Sequence, residues 1–114
     1  MPNKAFTKKW TVGDTRTAIT DVLVDGGGTA LVIPATTVVR FRLIDKSDDS
    51  VKIDDQLGVV VDANAGLVSY SFTDSDVDTA GDYWYWWILE SETGRVEHFP
   101  GDGRKATLSI VGVP

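Results

Sequence analysis

Aspartates are the side chains of this sequence best placed to do chemistry, and three of them cluster between residues 74 and 78. The run Asp74-Ser-Asp-Val-Asp78 has the spacing of the first half of a calcium-binding loop, in which oxygen ligands surround a hard cation. The pattern then fails, because Thr79 stands where the loop needs glycine and Tyr85 where it needs glutamate. A turn whose aspartates accept hydrogen bonds from local backbone N–H groups explains the run better. We therefore expect no metal and no other cofactor.

His98 is the only histidine, and the sequence supplies no partners for it. No nucleophile motif accompanies it, and with no cysteine and no second histidine it lacks further metal ligands of those types. Glu90, Glu92 and Glu97 flank a predicted hairpin, where surface glutamates are far commoner than a glycosidase carboxylate pair. The sequence therefore predicts a protein that is not an enzyme and has no catalytic residues.

Composition and charge narrow the class of partner. The 114 residues are 42% hydrophobic and 25% charged, as in an ordinary globular domain with one core. The net charge of −6 disfavours nucleic acid, whose binding requires neutralisation of phosphates. No segment approaches the roughly 20 apolar residues that span a bilayer, and the N-terminus lacks the apolar stretch of a signal peptide. We expect neither nucleic acid nor a membrane as a partner.

Short strands separated by turns rich in Gly and Asp account for most of the chain. In the segment 37–45, Val39 and Phe41 alternate with Arg40 and Arg42, as expected for a sheet with one face in water. No window has helical periodicity. The pattern predicts an all-β fold, an antiparallel β-sandwich of about seven to nine strands. The predicted strands are 6–12, 17–24 (with Ile19, Val22 and Val24 as core candidates), 37–45, 51–57 at a sheet edge, 59–61, 67–72, 83–90, 95–99 and 105–111.

The start of the chain is basic, whereas residues 45–78 are strongly acidic. We predict a flexible N-terminal arm at residues 1–5 and a single domain at residues 6–114. The basic residues are either solvated surface or part of an arm that docks on an acidic neighbour, which could be another copy of the same protein. The residues assigned to this contact are Lys4, Lys8, Lys9 and Trp10.

The segment 83–90 is the most unusual part of the sequence, because it holds three of the four tryptophans. Alternation along a strand places Trp84, Trp86 and Ile88 on one face and the remaining rings on the other. Three interpretations stay open: all rings belong to the core, Trp84 and Trp86 stack on sugars, or they contact another protein, where Trp and Tyr are enriched. An uncovered aromatic patch would promote aggregation unless a partner covers it.

Four segments recur in an order that is familiar from one family. They are 37–45 (a V-x-F-x-L strand), 66–72 (G-x-V-x-Y), 78–83 (D-x-x-G-x-Y) and a late Phe99-Pro100. The sequence resembles the immunoglobulin-like N-terminal domain of phage baseplate upper proteins and related phage tail and virion proteins, over about residues 11 to 111. The resemblance implies an immunoglobulin-like β-sandwich, with a structural corner in which a tyrosine hydroxyl ties the loop before the central strand. The corner residues are Asp78, Gly81 and Tyr83.

The resemblance also implies a function and a location. The expected protein is a non-enzymatic structural component of a tailed bacteriophage virion, attached to a tail, baseplate or capsid protein, with self-association left open. Trp84, Trp86 and Ile88 are the expected contact surface. The alternative function is a carbohydrate-binding module that grips a glycan on the host surface.

Overall fold

The structure is a computed structural model that describes residues 7–24, 28–100 and 106–112. The predicted N-terminal arm, including Lys4, lies outside these residues. Within this described part of the chain, two short 3₁₀ helices, Ala63–Ala65 and Asp74–Val77, lie between strands. No helix among the described residues has the length and apolarity to cross a membrane. The strands are β1 (Thr7–Thr11), β2 (Ile19–Val22), β3 (Val38–Asp45), β4 (Val51–Leu57), β5 (Val59–Asp62), β6 (Leu67–Tyr70), β7 (Gly81–Glu90), β8 (Val96–Phe99) and β9 (Ala106–Val111).

The strands form two sheets, and the aromatic strand β7 lies at the centre of the larger one. The larger sheet has the order β1-β9-β7-β3-β4, and β8 also pairs with β7. One side of β7 pairs with β3 along most of its length, and the other side pairs first with β9 and then with β8. The smaller sheet has the order β2-β6-β5. Two sheets arranged in this way form a β-sandwich, so the predicted all-β fold class is confirmed.

One strand pair departs from the predicted antiparallel arrangement. β1 runs parallel to β9, with Lys8 opposite Leu108 and Trp10 opposite Ile110. A parallel neighbour needs a long connection between the two strands, and here almost the whole domain lies between them. Alternation within a segment indicates which residues face the core, but it carries no information on the direction of the neighbouring strand.

Aromatic rings join the two sheets across the core. Phe41 of β3 is fully buried and stacks on Tyr70 of β6, with 4.9 Å between the ring centroids. The Phe41 ring also meets Trp87 of β7 edge-on, at 4.8 Å between centroids. Tyr85 and Phe72 complete this contact around the Phe41 ring. The interior is therefore centred on one phenylalanine that touches rings from both sheets.

The prediction for the core residues of β2 is right for Ile19 and wrong for Val22 and Val24. Ile19 is fully buried, whereas Val22 and Val24 are 53% and 45% exposed. The inward positions of this segment are Ile19, Asp21 and Leu23, because side chains alternate along a strand. Asp21 therefore points toward the core, whereas the adjacent Val22, which the sequence analysis predicted to be in the core, points outward.

Gly66 closes the turn between β5 and β6, and we expect Gly66→Ala to lower the free energy of unfolding by about 3 kcal/mol. Its φ is +66°, and an added Cβ would lie 2.6 Å from the carbonyl oxygen of Leu23 and 2.8 Å from that of Leu31. Gly94→Ala is the matched control, since its φ is +85° with nothing near the added Cβ. The control isolates the left-handed backbone cost, about 1 kcal/mol. Equal losses in denaturant unfolding of the two variants would contradict the proposed clash.

Candidate protein-binding face

The side chains of β7 divide between the core and the outer side of the larger sheet. Tyr83, Tyr85, Trp87 and Leu89 are buried against the smaller sheet. Trp84 and Trp86 on the outer side are half-buried, and Ile88 beside them is buried. We call the outward side chains Trp84, Trp86 and Ile88 the aromatic face. The structure thus brings these three predicted contact residues together, but Ile88, at 6% exposure, offers a partner almost no surface.

Lys46 covers part of the aromatic face. Its ammonium nitrogen lies 3.8 Å from the centroid of the Trp84 ring, a cation–π distance. The same nitrogen donates to the hydroxyl of Thr107 on β9, at 3.0 Å. Trp84 is opposite both Thr107 and Ile44 in the sheet. One side of this indole is therefore already engaged by a cation of the same chain.

Two arginines of β3 flank the rest of the aromatic face, and both have acidic partners. Arg42 is directly opposite Trp86, and Arg40 is opposite Ile88. The Arg42 guanidinium lies 3.3 Å from the Asp55 carboxylate, and the Arg40 guanidinium lies 3.5 Å from that of Glu90. These pairs are partly exposed, so each contributes little to stability. The Asp55 and Glu90 carboxylates neutralise the charges of these two arginines.

Exposed aliphatic side chains extend the apolar surface around Ile88. Val38 and Val96 lie on either side of Glu90, at one end of the sheet. Leu57 of β4 is opposite Arg40, and its side chain is 63% exposed. The outer side of the larger sheet therefore combines half-buried rings, exposed aliphatic groups and paired charges. Such a mixture is typical of protein interfaces, in which aromatic residues and arginine are enriched.

The basic residues predicted to bind a neighbour divide between the two sides of β1. Lys9 is exposed and lies opposite Ser109, on the side of the sheet that carries Trp84. Lys8 instead forms an ion pair with Asp21 at 3.3 Å. Trp10 meets the edge of Phe72 at 5.2 Å between centroids, and its indole N–H donates to the Asp14 carbonyl. Lys8 and Trp10 are thus parts of the sandwich and not of a free arm, and partner binding by Lys9 stays a prediction.

The loop before β7 is tied back by the hydroxyl of Tyr83, which donates to the carbonyl oxygen of Thr79 at 2.8 Å. This is the hydrogen bond of a tyrosine corner, and burial raises the pKa of Tyr83 above its usual value. Asp78 accepts from Lys52, at 2.6 Å, and from Thr79. The Lys52 hydrogen bond lowers the pKa of Asp78. Gly81 follows directly as the first residue of β7. The corner fixes the start of the strand that carries the aromatic face.

A carboxylate that the sequence analysis missed, on a side chain only 9% exposed, holds the inner side of β7. Asp21 of β2 accepts from the indole N–H of Trp87 at 2.8 Å and from the hydroxyl of Tyr85 at 3.0 Å. The Lys8 ammonium adds the third contact. Burial, reinforced by the charge of Asp21, raises the pKa of Tyr85. The sequence did contain one signal for this role. Asp21 lies two residues after Ile19, so the two side chains point to the same face of the predicted strand.

One aspartate of the acidic segment 74–78 is directed inward, whereas Asp74 and Asp78 are exposed. Asp76 is buried, and its carboxylate accepts from the Tyr70 hydroxyl at 3.1 Å and from the Thr73 backbone N–H at 2.8 Å. Burial, together with the Asp76 charge, raises the pKa of Tyr70 to about 12. Within the described residues, no three His, Asp or Glu side chains are grouped so as to hold a metal ion. Asp76 anchors the turn to the core.

Comparison with known proteins connects this fold to a phage domain. No family model and no curated protein matches the chain. Nine chains of solved structures do match, among them the N-terminal domain of phage TP901-1 ORF48. The match has a TM-score of 0.62 and 17% sequence identity, and it covers 94% of this chain and 84% of that one.

The chain has the fold of a phage protein domain. The resemblance seen in the four sequence segments is therefore confirmed at the level of the fold. At 17% identity the similarity concerns the arrangement of the backbone.

Proposed function

We propose that this chain is a structural protein of a tailed phage virion, and that its domain attaches to a neighbouring virion protein. The observation that carries the proposal is the placement of Trp84 and Trp86. Both indoles point away from the core of a fold that is similar to a phage domain, and both remain half-buried. Large rings in this position provide contact area at a low cost in conformational entropy. The proposed role is assembly, with no catalytic step.

The chemistry of the aromatic face indicates the kind of surface it fits. Arg40 and Arg42 are already paired with Glu90 and Asp55, so the face offers little unpaired charge. The partner surface is expected to be apolar at its centre, where it covers the indoles and Leu57, with polar groups at its rim. A tail, baseplate or capsid protein of the same particle is the proposed partner.

The contact of Lys46 with the Trp84 ring also argues against the glycan-binding alternative. Sugars stack on an open ring face, and the Lys46 ammonium lies 3.8 Å from the centroid of this ring. A protein partner can instead pack around the lysine and the ring together, since the lysine stem is apolar. We therefore favour a protein partner over a host glycan.

Replacing Trp84 and Trp86 together with serine is expected to abolish incorporation of the protein into particles. The circular dichroism of the β-sandwich should be preserved, because neither ring belongs to the core cluster. The measurement is the amount of variant protein in purified phage particles that are produced without the wild-type copy of the gene. Val32→Ser is the matched control, since Val32 is exposed and lies outside the aromatic face.

Two outcomes would contradict this proposal. Normal incorporation of the double variant would show that another surface makes the contact, and loss of its β-sheet signal would assign the rings to the core. A saturable shift of tryptophan fluorescence with host polysaccharide, lost in the double variant, would favour the glycan-binding alternative.

A further inference from the structure

Two lysines on the outer side of the larger sheet lie at the Trp84 end of the aromatic face. They are Lys46, which contacts the Trp84 ring, and Lys9 of β1. Among the residues that the structure describes, neither lysine forms an ion pair, whereas Arg40 and Arg42 farther along the face are paired with carboxylates. We call Lys9, Lys46 and Trp84 the lysine patch.

The Lys46 ammonium is held against the protein by neutral groups alone. It lies 3.8 Å from the centroid of the Trp84 ring and donates to the Thr107 hydroxyl at 3.0 Å. The residue is half-buried, and an ammonium carries a full charge and three N–H donors. Removing such a cation from part of its water without an opposite charge costs free energy. A carboxylate that reaches this ammonium from outside the chain would offset that cost.

The nearest carboxylates of the same chain do not supply the opposite charge. Asp45, directly before Lys46, accepts from the backbone N–H and the hydroxyl of Ser47. Asp82 is exposed and lies opposite Ser109, and within the described part of the chain it forms no ion pair with either lysine. The patch therefore presents two cations beside an indole on a chain whose net charge is −6.

Lys9 is close enough to act together with Lys46. It is opposite Ser109 in the sheet, and Thr107, which accepts from Lys46, is the next outward residue of β9. A strand spacing of about 4.8 Å and a rise of about 6.6 Å over two residues place the Lys9 backbone about 8 Å from that of Thr107. Lys9 is exposed, and its ammonium is carried on a flexible four-carbon stem. Both ammonium groups can therefore contact one acidic group above Thr107.

We infer that the lysine patch binds an acidic side chain of the neighbouring virion protein, with an apolar group of that protein packed beside it on the outer side of β7. The inference rests on the proposed function and adds the chemistry of the partner at this end of the aromatic face. Complementary charge at one end of an apolar contact fixes the register of the two proteins and accelerates their association.

Two other ligands fit the lysine patch less well. Nucleic acid would bring a row of phosphates, and the exposed Asp82 carboxylate and the net charge of −6 would repel them. A second copy of the chain would bring the same net negative charge, so the two copies would repel each other in most orientations. A different protein with an acidic group at the contact meets neither obstacle.

Zero-length carbodiimide cross-linking of purified phage particles tests the inference, because this reagent joins an amine to a carboxylate only where the two are in contact. Peptide mass spectrometry is expected to show Lys46, Lys9 or both joined to an aspartate or glutamate of another virion protein. Lys52 and Asp78 are the internal control, since their side chains are 2.6 Å apart and should be joined within the chain. With this control link present, the absence of a link from either lysine of the patch to another protein would overturn the inference. A link to a second copy of this chain in its place would overturn it as well.

Charge reversal gives a second readout, the amount of protein in particles that are produced without the wild-type copy of the gene. Lys46→Glu should lower incorporation by at least about tenfold, because like charges then meet at the contact, and Lys9→Glu should lower it too. Lys46→Arg keeps a cation over the ring and should stay within about twofold of the wild type. Arg16→Glu is the matched control, since it changes the net charge equally at an exposed residue in the loop between β1 and β2. Circular dichroism verifies that each variant is folded.

The proposed function and this inference fail in different ways. Absence of the wild-type protein from purified particles would contradict the proposed function, and the inference with it. Normal incorporation of Lys46→Glu, together with loss of the Trp84 and Trp86 double variant, would keep the aromatic face as the contact and overturn only the acidic partner group.

Discussion

Replacing Asp21 with alanine is expected to lower the free energy of unfolding by about 4 kcal/mol. The Asp21 carboxylate accepts from the Trp87 indole at 2.8 Å and from the Tyr85 hydroxyl at 3.0 Å, and both rings are buried. The substitution removes the acceptor for each donor, and it also removes the partner of the Lys8 ammonium. A buried donor that loses its acceptor has no compensating contact with water, so its desolvation cost remains.

Urea denaturation followed by circular dichroism measures this effect, and Asp54→Ala is the matched control. The side chain of Asp54 is 75% exposed, and its carboxylate lies at a long ion-pair distance, 4.0 Å, from the Arg42 guanidinium. Its removal should therefore change the free energy of unfolding by less than about 0.5 kcal/mol. Asp21→Asn keeps one acceptor oxygen and should lose less than Asp21→Ala. A loss below about 1 kcal/mol for Asp21→Ala would mean that the three contacts do not support the sandwich.

Phe41→Ala is the second substitution with a large expected effect, a loss of about 4 kcal/mol. The ring is fully buried and contacts four other rings, which include Tyr70 of the smaller sheet and Trp87 of β7. Alanine leaves a cavity between the sheets that these rigid rings cannot fill without leaving their rotamers. The loss combines apolar area returned to water with ring contacts that are no longer made.

Val38→Ala is the control for this prediction, since Val38 lies on the same strand with its side chain on the outer side. Its substitution should cost less than about 1 kcal/mol. Thermal and denaturant unfolding should agree on the difference between the two variants. Similar losses at both positions would show that the core is not centred on Phe41.

Much of the fold follows from local pattern. The alternation of Phe41 with Arg40 and Arg42 predicted both the strand and the side of it that faces the core, and the structure places these residues accordingly. The rings of the segment 83–90 divide between two faces as predicted. Glycine and aspartate marked the turns because few other residues adopt the backbone conformations that turns require. These features depend on neighbours in sequence, so they can be inferred before any tertiary contact is known.

The positions that sequence analysis missed depend on which segments meet. Nothing local distinguishes Asp21, which points into the core, from a surface aspartate, because its acceptor role depends on Tyr85 and Trp87 more than sixty residues away. Val22 was assigned to the core since valine is usually buried, yet the alternation that brings Asp21 inward leaves Val22 exposed. Lys8 was likewise predicted to belong to a basic arm, because the pairing of β1 with β9 depends on residues far apart in the sequence.

The sequence by itself determined the all-β class, most of the strands, the two-sided distribution of rings on β7 and the resemblance to phage domains. Only the tertiary structure decided that β1 pairs in parallel with β9, that Asp21 is the acceptor for β7, and that Val22 and Val24 are exposed. The reason is the range of the interactions. Side-chain alternation is a property of a single strand, whereas the partner of a buried carboxylate and the composition of a whole face depend on how distant strands are brought together.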